Sequence, residues 1–367
     1  MPSAAEPADD GFIPDRVVRG VNVDFAFAGT PEFASWVLAD LVSLGKRPTL
    51  VVSQPGRPFG RGRRPADPPA AVTAGLLGIP CLQTEDINDP LVAGRIRAGG
   101  ASALAVAAFG QILKRPLLDS FLCLNVHASL LPAYRGPAPI ERALAAGETR
   151  TGATIMRITE ALDEGPWASQ TSVSVGLRED AGSLGRTLAV LGAVGLAHVL
   201  DGVSDGTVTW TEQEGPASYA GRLAARDCFL DTARGARAVH DQVRSLSPTI
   251  GARTAAGAIE FKVWRTWPYG QAGVDPAPLE GAAVSGSPGR LAVVGERLFA
   301  GCREGVVEML VVQPAGKNRM SAAAFLRGYG GRLGDRLEPV CEGGRKAPGG
   351  GGRGAGGLRD SAKETLR

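Results

Sequence analysis

The regular part of the chain begins with a strand, a tight turn and a helix in immediate succession. Apolar residues alternate up to Gly29, and Pro31 is typical of the first position of a helix. The alternating residues are Val23, Phe25 and Phe27, and Thr30 can cap the helix that follows. The sequence predicts this helix over 31–44 and a second strand over 49–53. A strand, a helix and a second strand in succession are typical of a parallel βαβ unit, so the fold class predicted is α/β with a parallel sheet.

The turn after the first strand bears on cofactor binding. Residues 29–33 read Gly-Thr-Pro-Glu-Phe, without the G-x-G-x-x-G spacing of a dinucleotide-binding turn. We therefore expect a plain strand-to-helix turn and no bound dinucleotide.

Residues 123–136 bring an amide, an imidazole, a hydroxyl and a guanidinium into one short stretch. In an extended strand, Asn125 and His127 point to one face while Leu124 and Val126 point into packing. The proline and glycine that follow predict a turn, where functional groups are often held by a rigid scaffold. Taken alone, an Asn-x-His pair is more often a satisfied polar pair at a strand end. The candidate active site therefore depends on its neighbours.

One such neighbour is Asp163, which follows a predicted strand over 152–158. It lies in a loop closed by Gly165 and Pro166. By itself it is a typical turn aspartate that bonds its own backbone. With a histidine and an asparagine at a neighbouring strand end, it becomes a candidate acid/base partner.

An arginine-rich loop over 54–65 follows the second predicted strand and contains no acidic residue. Its arginines are Arg57, Arg61, Arg63 and Arg64, and glycine and proline break regular structure around them. Guanidinium groups suit phosphate, and Phe59 offers a face for a base or sugar. The loop is either an RNA contact or simply a solvated basic segment, because blocks of charge are often only solvated.

The rest of the chain divides by composition. Apolar residues recur at helical spacing over 181–200, and a helix predicted over 232–246 precedes short strands with glycine-rich turns, which favours a small β-barrel. The strands are predicted around 259–264, 284, 290–294 and 306–312. The predicted regions are a disordered arm over 1–20, a catalytic domain over 21–205, a linker over 206–222, a β-barrel domain over 223–340 and a disordered glycine-rich tail over 341–367.

Charge and cysteine content exclude several classes of protein. The net charge is only +3, so nucleic-acid binding would need local basic patches. The five cysteines are scattered and form no Cys-x-x-Cys, so we expect neither a disulfide framework nor a metal site. No apolar run reaches the roughly 18 residues of a membrane span, and the acidic first twenty residues do not match a signal or transit peptide. We expect a cytoplasmic monomer that does not bind membranes.

The motifs together closely resemble the methionyl-tRNA formyltransferase family over about 21–337. The resemblance rests on Phe27-Ala-Gly-Thr-Pro-Glu-Phe33, the arginine loop, Asn125-Val-His-x-Ser-Leu-Leu-Pro132, Arg135-Gly-x-Ala-Pro-Ile140, Thr151-Gly-x-Thr-Ile-Met156, Leu162-Asp-x-Gly165 and Leu310-Val-Val-Gln-Pro-Ala-Gly-Lys-x-x-Met-Ser321. Folate-dependent formyltransferases share the Asn-x-His and Leu-Asp-x-Gly motifs, so these specify the chemistry. The arginine loop and Gln-Pro-Ala-Gly-Lys specify the tRNA substrate.

The resemblance implies a Rossmann-like formyltransferase domain followed by a smaller OB-like barrel. It also implies transfer of the formyl group of 10-formyltetrahydrofolate to the α-amino group of methionyl initiator tRNA in translation initiation. The residues that it implies are Asn125, His127 and Asp163 for catalysis; Phe109, Gly110, Ser129, Leu130, Leu131 and Pro132 for folate; and Arg57, Arg61, Arg63, Arg64 and Lys317 for tRNA. Amine attack on a formyl carbon needs an oxyanion donor, here Asn125, and a group that moves protons, here His127 with Asp163.

Some positions depart from the family pattern and leave alternatives open. Gly56 and Phe59 differ in the arginine loop, Ala71 replaces a frequent lysine, and 225–232 and 247–249 lack usual residues. A sugar-nucleotide or glycinamide-ribotide formyltransferase, or a formyltetrahydrofolate hydrolase, would keep Asn125, His127 and Asp163, the catalytic trio. None of these enzymes would need the arginine loop. A non-enzymatic RNA-binding protein would need no trio.

Overall fold

The computed structural model describes residues 23–59 and 64–338. The predicted arm over 1–20 and tail over 341–367 lie outside these residues, as do Arg61 and Arg63. The backbone of Arg57 and Arg64 is described but their side chains are not.

The first half of the described chain alternates strands and helices, as its sequence predicts. The strands are β1 (Phe25–Gly29), β2 (Leu50–Ser53), β3 (Arg57–Phe59), β4 (Arg64–Ala66), β5 (Cys81–Gln83), β6 (Ala103–Ala107), β7 (Leu122–His127), β8 (Arg150–Arg157) and β9 (Trp167–Ser174). The helices are α1 (Glu32–Ser43), α2 (Pro69–Leu76), α3 (Pro90–Ala98), α4 (Arg115–Leu118), α5 (Pro139–Ala146) and α6 (Ala181–Asp205).

Seven of these strands form one sheet in the order β5-β2-β1-β6-β7-β8-β9. The pairs from β5 to β7 are parallel, whereas β8 and β9 are antiparallel to their neighbours. The α/β class with a parallel sheet is therefore confirmed, with an antiparallel extension at one edge. The extension begins beside β7, so the strand that carries Asn125 and His127 is parallel to one neighbour and antiparallel to the other.

Both faces of the sheet are covered by helices. Phe25 and Phe27 of β1 pack into a core shared with α1, α2 and α6, while Ala26 and Ala28 pack into a second core with α3. A central parallel strand that is apolar on both faces is typical of this arrangement. The alternation that predicted β1 therefore separates two cores instead of a core and solvent.

The start of α1 differs from the predicted cap. The helix begins at Glu32 with Pro31 at the N-cap and no side-chain cap. The Thr30 hydroxyl is used elsewhere, donating to the carbonyl of Phe109 and accepting from the backbone N–H of Gln54. Thr30 thus links the ends of three strands at the carboxyl edge of the sheet.

One described helix, α6, is long and apolar enough to pass a length-and-composition test for a membrane span, with 61% of its most apolar window buried. The sequence contains no uninterrupted apolar run of that length, because Arg186 and Asp201 interrupt the apolar residues of α6. The buried side of α6 packs on the sheet through residues such as Leu196 and Leu200. Its apolar character is therefore accounted for by the protein core.

The second half forms a curled antiparallel sheet in the order β12-β13-β14-β11-β10-β16, with β15 beside β14. The strands are β10 (Ala252–Gly257), β11 (Ile259–Tyr269), β12 (Leu291–Val294), β13 (Arg297–Gly301), β14 (Val306–Pro314), β15 (Met320–Ser321) and β16 (Leu333–Glu338); the helices are α7 (Ala236–Ser245), α8 (Leu279–Ala282) and α9 (Ala322–Tyr329). A bridge between Arg290 and Arg336 brings the two edges together. This nearly closed sheet confirms the barrel prediction, although Val284 lies in a turn.

The two halves meet through α7. His240 of α7 bonds the carbonyl of Leu177 through Nε2 at 2.8 Å, and Arg244 donates to the carbonyl of Gly176 at 3.0 Å. Arg142 of α5 pairs with Asp227 at 2.8 Å. Polar contacts therefore hold the barrel against the α/β half, with residues 206–224 between α6 and a 3₁₀ turn at Ala225–Cys228 forming the connecting segment.

Candidate active site

The candidate site lies where β7 ends. Asn125 pairs with Val106 of β6 and Met156 of β8, and His127 pairs with Thr154. Both side chains approach Asp163, so the strand alternation places them on one face as the sequence predicts. The structure therefore brings the three predicted catalytic residues together at the carboxyl edge of the sheet. Ligands of open α/β sheets bind at this edge.

His127 is buried and has two polar neighbours. Its Nε2 atom lies 2.9 Å from the carbonyl oxygen of Tyr134. Because a carbonyl only accepts, Nε2 carries a proton and Nδ1 is the atom free to take another. Nδ1 faces Asp163 Oδ2 at 3.7 Å, close enough for an ion pair once the ring is protonated. The ring is thus oriented for proton transfer at Nδ1.

Asp163 is held at the tip of its loop in an unusual backbone conformation. Its φ is 54°, in the left-handed region that few residues other than glycine occupy. The Oδ2 atom accepts from the Gly136 N–H at 2.8 Å, and Oδ1 lies 3.4 Å from Nδ2 of Asn125. The carboxylate therefore faces both strand residues, and backbone strain of this kind persists where surrounding contacts determine it.

A network that the sequence did not indicate surrounds the Asp163 loop. The side chain of Gln213, in the connecting segment, donates to the carbonyls of Asp163 and Gly165 and accepts from Arg135. Arg135 also pairs with Glu164 at 3.0 Å. Arg135 and Glu164 both lie within motifs visible in the sequence, but Gln213 comes from a distant, irregular segment without a pattern.

The stretch after β7 contains four of the predicted folate residues. Ser129 is fully buried, and its hydroxyl donates to the carbonyl of Ala133 at 2.6 Å. Leu131 is also buried, whereas Leu130 and Pro132 are half-buried. The Ser129 and Leu131 side chains therefore support the turn internally, and only the other two present side-chain surface.

The other predicted folate residues lie at the end of β6. Phe109 is buried, and its carbonyl accepts from Gln54 Nε2 at 2.7 Å. Gly110 is exposed with φ of 82°, and a Cβ there would lie 3.0 Å from Gln54 Nε2. The backbone at Gly110 is thus open at the same carboxyl edge as His127.

The sequence suggested that the arginine loop is irregular, but part of it forms regular structure. Arg57 to Phe59 and Arg64 to Ala66 form an antiparallel hairpin, with Pro58 opposite Pro65. Proline is tolerated in such a two-stranded ribbon because one side of each strand needs no ladder hydrogen bond. The hairpin leaves the sheet directly after β2, so it starts from the same edge as the candidate site.

Lys317 lies in the other half, on an exposed turn after β14. Gln313 connects this turn to Trp264, since it donates to the Lys317 carbonyl and accepts from Trp264 Nε1. Arg319 lies over the Trp264 ring at 3.5 Å. Burial, with the nearby charges of Arg253 and Arg319, lowers the pKa of Lys262, which also lies over Trp264.

The Cys123 thiol and the Tyr134 hydroxyl, which lie near the trio, both have raised pKa values. Burial raises the pKa of the Cys123 thiol to about 12, so the thiol stays protonated at neutral pH. Burial, with the adjacent Glu148 carboxylate, raises the pKa of Tyr134 above its usual range. Within residues 23–59 and 64–338, no cluster of metal-ligating side chains occurs. Neither the Cys123 thiol nor the Tyr134 hydroxyl therefore loses its proton near neutral pH.

This arrangement fits acyl transfer to an amine. An amide donor can stabilise an oxyanion, and an imidazole beside a carboxylate can take the proton that the attacking amine releases. Distances in the free protein are often longer than in the reacting complex, which is consistent with the 3.4 Å and 3.7 Å separations.

Comparisons with known proteins extend over both halves. A family described as "Formyl transferase" matches residues 22–200, and one described as "Formyl transferase, C-terminal domain" matches 222–330. A methionyl-tRNA formyltransferase of Rubrobacter xylanophilus is 48% identical over 83% of this chain and 96% of its own. The chain belongs to the methionyl-tRNA formyltransferase family.

Other members of the methionyl-tRNA formyltransferase family agree with this assignment. The protein of Methylococcus capsulatus is 37% identical over 84% of this chain and 98% of its own. The resemblance seen in the sequence is thereby confirmed, and so is the assignment of the chain as a formyl-transferring enzyme.

Solved structures support the fold of this methionyl-tRNA formyltransferase family member. A sugar 3N-formyl transferase with dTDP and 5-N-formyl-THF aligns with a TM-score of 0.54 at 14% identity, covering 82% of this chain and 100% of that one. HypX from Aquifex aeolicus with tetrahydrofolic acid aligns with a TM-score of 0.58 at 13% identity, covering 86% and 49%. At these identities the likeness concerns the fold alone.

Proposed function

We propose that the protein transfers the formyl group of 10-formyltetrahydrofolate to the α-amino group of methionyl initiator tRNA in translation initiation. The observation that carries this proposal is the identity to methionyl-tRNA formyltransferases across both halves of the chain, 48% over 83% of its length. The convergence of Asn125, His127 and Asp163 at one edge of the sheet supplies the chemistry.

The trio divides the reaction as follows. Asn125 donates through Nδ2 to the oxygen of the formyl group as the amine attacks its carbon. The proton released by the amine passes to Nδ1 of His127 or to Asp163, directly or through water, and then to the departing folate nitrogen. Asp163 holds its negative charge against the protonated ring, which lies within ion-pair distance.

We place the folate beside the carboxyl ends of β6 and β7. The exposed backbone of Gly110 and the half-buried Leu130 and Pro132 offer surface there. Phe109, Ser129 and Leu131 act from the interior, because their side chains are buried and fix the backbone of the two segments. Asp163 then faces the formyl end of the folate.

We place the tRNA across the arginine loop and the turn that contains Lys317. Arg57, Arg61, Arg63 and Arg64 are the arginines that we assign to tRNA binding, and Arg61 is the residue we assign to the acceptor end. In the barrel half, Arg319 and Lys262 surround Trp264 beside the turn of Lys317. Burial first and the charge of Arg253 second lower the pKa of Lys262, so Arg319 is the fixed positive charge beside Trp264.

We propose a cytoplasmic, monomeric protein that does not bind membranes. We also propose that the catalytic domain covers 21–205, the linker 206–222 and the tRNA-binding barrel 223–340; the arm and tail lie outside the described residues.

The experiment that tests the function is formylation of charged initiator methionyl-tRNA by the purified full chain. It includes 10-formyltetrahydrofolate, and free methionine and a sugar nucleotide amine are run as alternative acceptors. Formyl-methionyl-tRNA as the main product supports the proposal. Formate release without it indicates a hydrolase, and formylation of the sugar amine indicates the sugar-nucleotide alternative; either result overturns the proposal.

A further inference from the structure

We propose that Gln213, in the segment connecting the two halves, is a positioning residue for Asp163. This inference rests on the proposed function insofar as Asp163 is taken to act in formyl transfer. Gln213 does not face the trio with its own side chain; it acts through the loop that carries the carboxylate.

The amide of Gln213 makes four hydrogen bonds. Nε2 donates to the carbonyls of Asp163 and Gly165, each at 2.8 Å. Oε1 accepts from Nε and Nη2 of Arg135 at 3.0 and 2.8 Å. Carbonyls only accept and a guanidinium only donates, so a single orientation of the amide satisfies all four. A glutamate would match the arginine but not the carbonyls.

Gln213 itself is fixed on both sides along the chain. Thr211 exchanges two backbone hydrogen bonds with Trp167 of β9, at 2.8 and 2.9 Å. Further on, the Ser218 carbonyl accepts from the backbone N–H of Arg135 at 2.9 Å, and its hydroxyl accepts from the N–H of Tyr134 at 2.8 Å. The connecting segment is therefore a fixed support for the amide.

The same segment supports both partners of the proton-transfer pair through their backbone neighbours. Through Ser218 it holds Tyr134, whose carbonyl binds Nε2 of His127. Through Gln213 it holds the carbonyls on either side of Glu164, in the loop whose left-handed Asp163 requires outside support. The spacing between His127 and Asp163 is thus set in part by residues outside the sheet.

Three substitutions separate this role from simpler ones. Gln213→Ala removes all four hydrogen bonds. Gln213→Glu keeps the acceptor for Arg135 and the side-chain length but replaces the donor to Asp163 and Gly165 with a repelling oxygen. Glu212→Gln is the matched control, since Glu212 is an exposed neighbour and changes only charge.

The test compares kcat and KM for both substrates across pH, using the full-length protein. We expect both Gln213 variants to lower kcat by about tenfold or more, the scale of a misplaced catalytic group, with a displaced pH profile and KM within about threefold. Glu212→Gln should match the wild type. Wild-type kcat in Gln213→Glu would assign the residue to Arg135 alone, and a raised KM with unchanged kcat would assign it to binding; either overturns the proposal.

A second measurement keeps the inference separate from the proposed function. Hydrogen exchange at the Gly136 N–H, which donates to Asp163 Oδ2, reports the carboxylate position without any substrate. Faster exchange in Gln213→Glu than in Glu212→Gln supports the proposal, and equal exchange overturns it. Failure of the wild type to formylate methionyl-tRNA would instead overturn the proposed function.

Discussion

Asp163 Oδ2 lies 3.7 Å from Nδ1 of His127, which is ion-pair distance but too long for a hydrogen bond. The same oxygen accepts a 2.8 Å hydrogen bond from the Gly136 N–H, so the carboxylate is fixed by the backbone before it engages the imidazole. In the free protein, the imidazole and the carboxylate are therefore positioned near each other without a direct hydrogen bond. Proton uptake at Nδ1 would shorten the separation by electrostatic attraction.

Removal of either member of this pair tests its role. We expect His127→Ala and Asp163→Asn each to lower kcat by about 10² or more, as for a lost acid/base group. The double variant should lose little beyond the worse single variant, because groups that act as a unit are not additive. Steady-state kinetics with methionyl-tRNA measures this. His198→Ala and Asp119→Asn change exposed residues and serve as controls; loss of only a few-fold in His127→Ala would contradict the assignment.

The sequence predicted those parts of the site that local geometry determines. Asn125 and His127 share a face because strand side chains alternate, and the polar pair follows directly from that rule. Asp163 came from a motif, since no periodicity relates a loop residue to a strand 38 positions earlier. Its left-handed φ was also unforeseen, because the residue is not a glycine.

The hydrogen bonds that support the Asp163 loop were also not predictable, because no local pattern relates residues so far apart in the sequence. Gln213 lies in a segment without regular structure, 50 residues beyond Asp163, and it meets the loop only through tertiary packing. Thr30 illustrates a competing interaction: its sequence position suggested a helix cap, but its hydroxyl bonds the Phe109 carbonyl. The preference of a threonine hydroxyl for capping a helix is overridden here because a distant strand end offers another hydrogen-bond partner.

The salt dependence of tRNA binding tests the arginine loop. Each phosphate contact releases counterions, so loss of one contact should make the salt slope shallower by about one unit. We therefore expect Arg61→Ala to weaken tRNA binding and flatten the slope while folate binding is unchanged. Fluorescence titrations at several salt concentrations measure both. Arg95→Ala alters an exposed arginine of α3 as the control, and an unchanged slope for Arg61→Ala would remove the loop from the interface.

Close packing behind the catalytic strand predicts a sensitive glycine. A Cβ at Gly192 of α6 would lie 2.4 Å from Cγ1 of Val126, the residue between Asn125 and His127. Gly192→Ala should therefore cost about 1–3 kcal/mol of unfolding free energy through overpacking, and should reduce kcat by displacing the strand.

The matched control for Gly192 is Gly185 on the same helix, where a Cβ would make ordinary 3.6 Å contacts. Gly185→Ala should be neutral or should stabilise by about 0.5–1 kcal/mol through helix propensity. Urea unfolding with kinetics on both variants provides the comparison. Equal stability of the two variants would show that α6 can move away from β7 freely.

Acid should weaken the contact between the two halves at His240. Burial lowers the pKa of His240 below 6.5, outweighing the hydrogen bond to Leu177 and the charge of Asp241, while Arg244 and Arg237 reinforce the decrease. As pH falls below about 6.5, the unfolded imidazole binds a proton while the folded one stays neutral. The unfolded state then holds more protons, so stability falls as pH falls from about 6.5 through the folded pKa. Above about 6.5 this contribution is fully present.

Urea midpoints at pH 7.5 and 5.5 measure this loss of stability. We expect the wild type to lose more between the two values than His240→Gln, whose amide can still donate to the Leu177 carbonyl but does not titrate. His198→Gln, at an exposed position of α6, should keep the wild-type difference because that imidazole stays in solvent. If His240→Gln and the wild type lose equally, the proton linkage belongs to groups other than His240, and the contact between α7 and Leu177 is not sensitive to pH in this range.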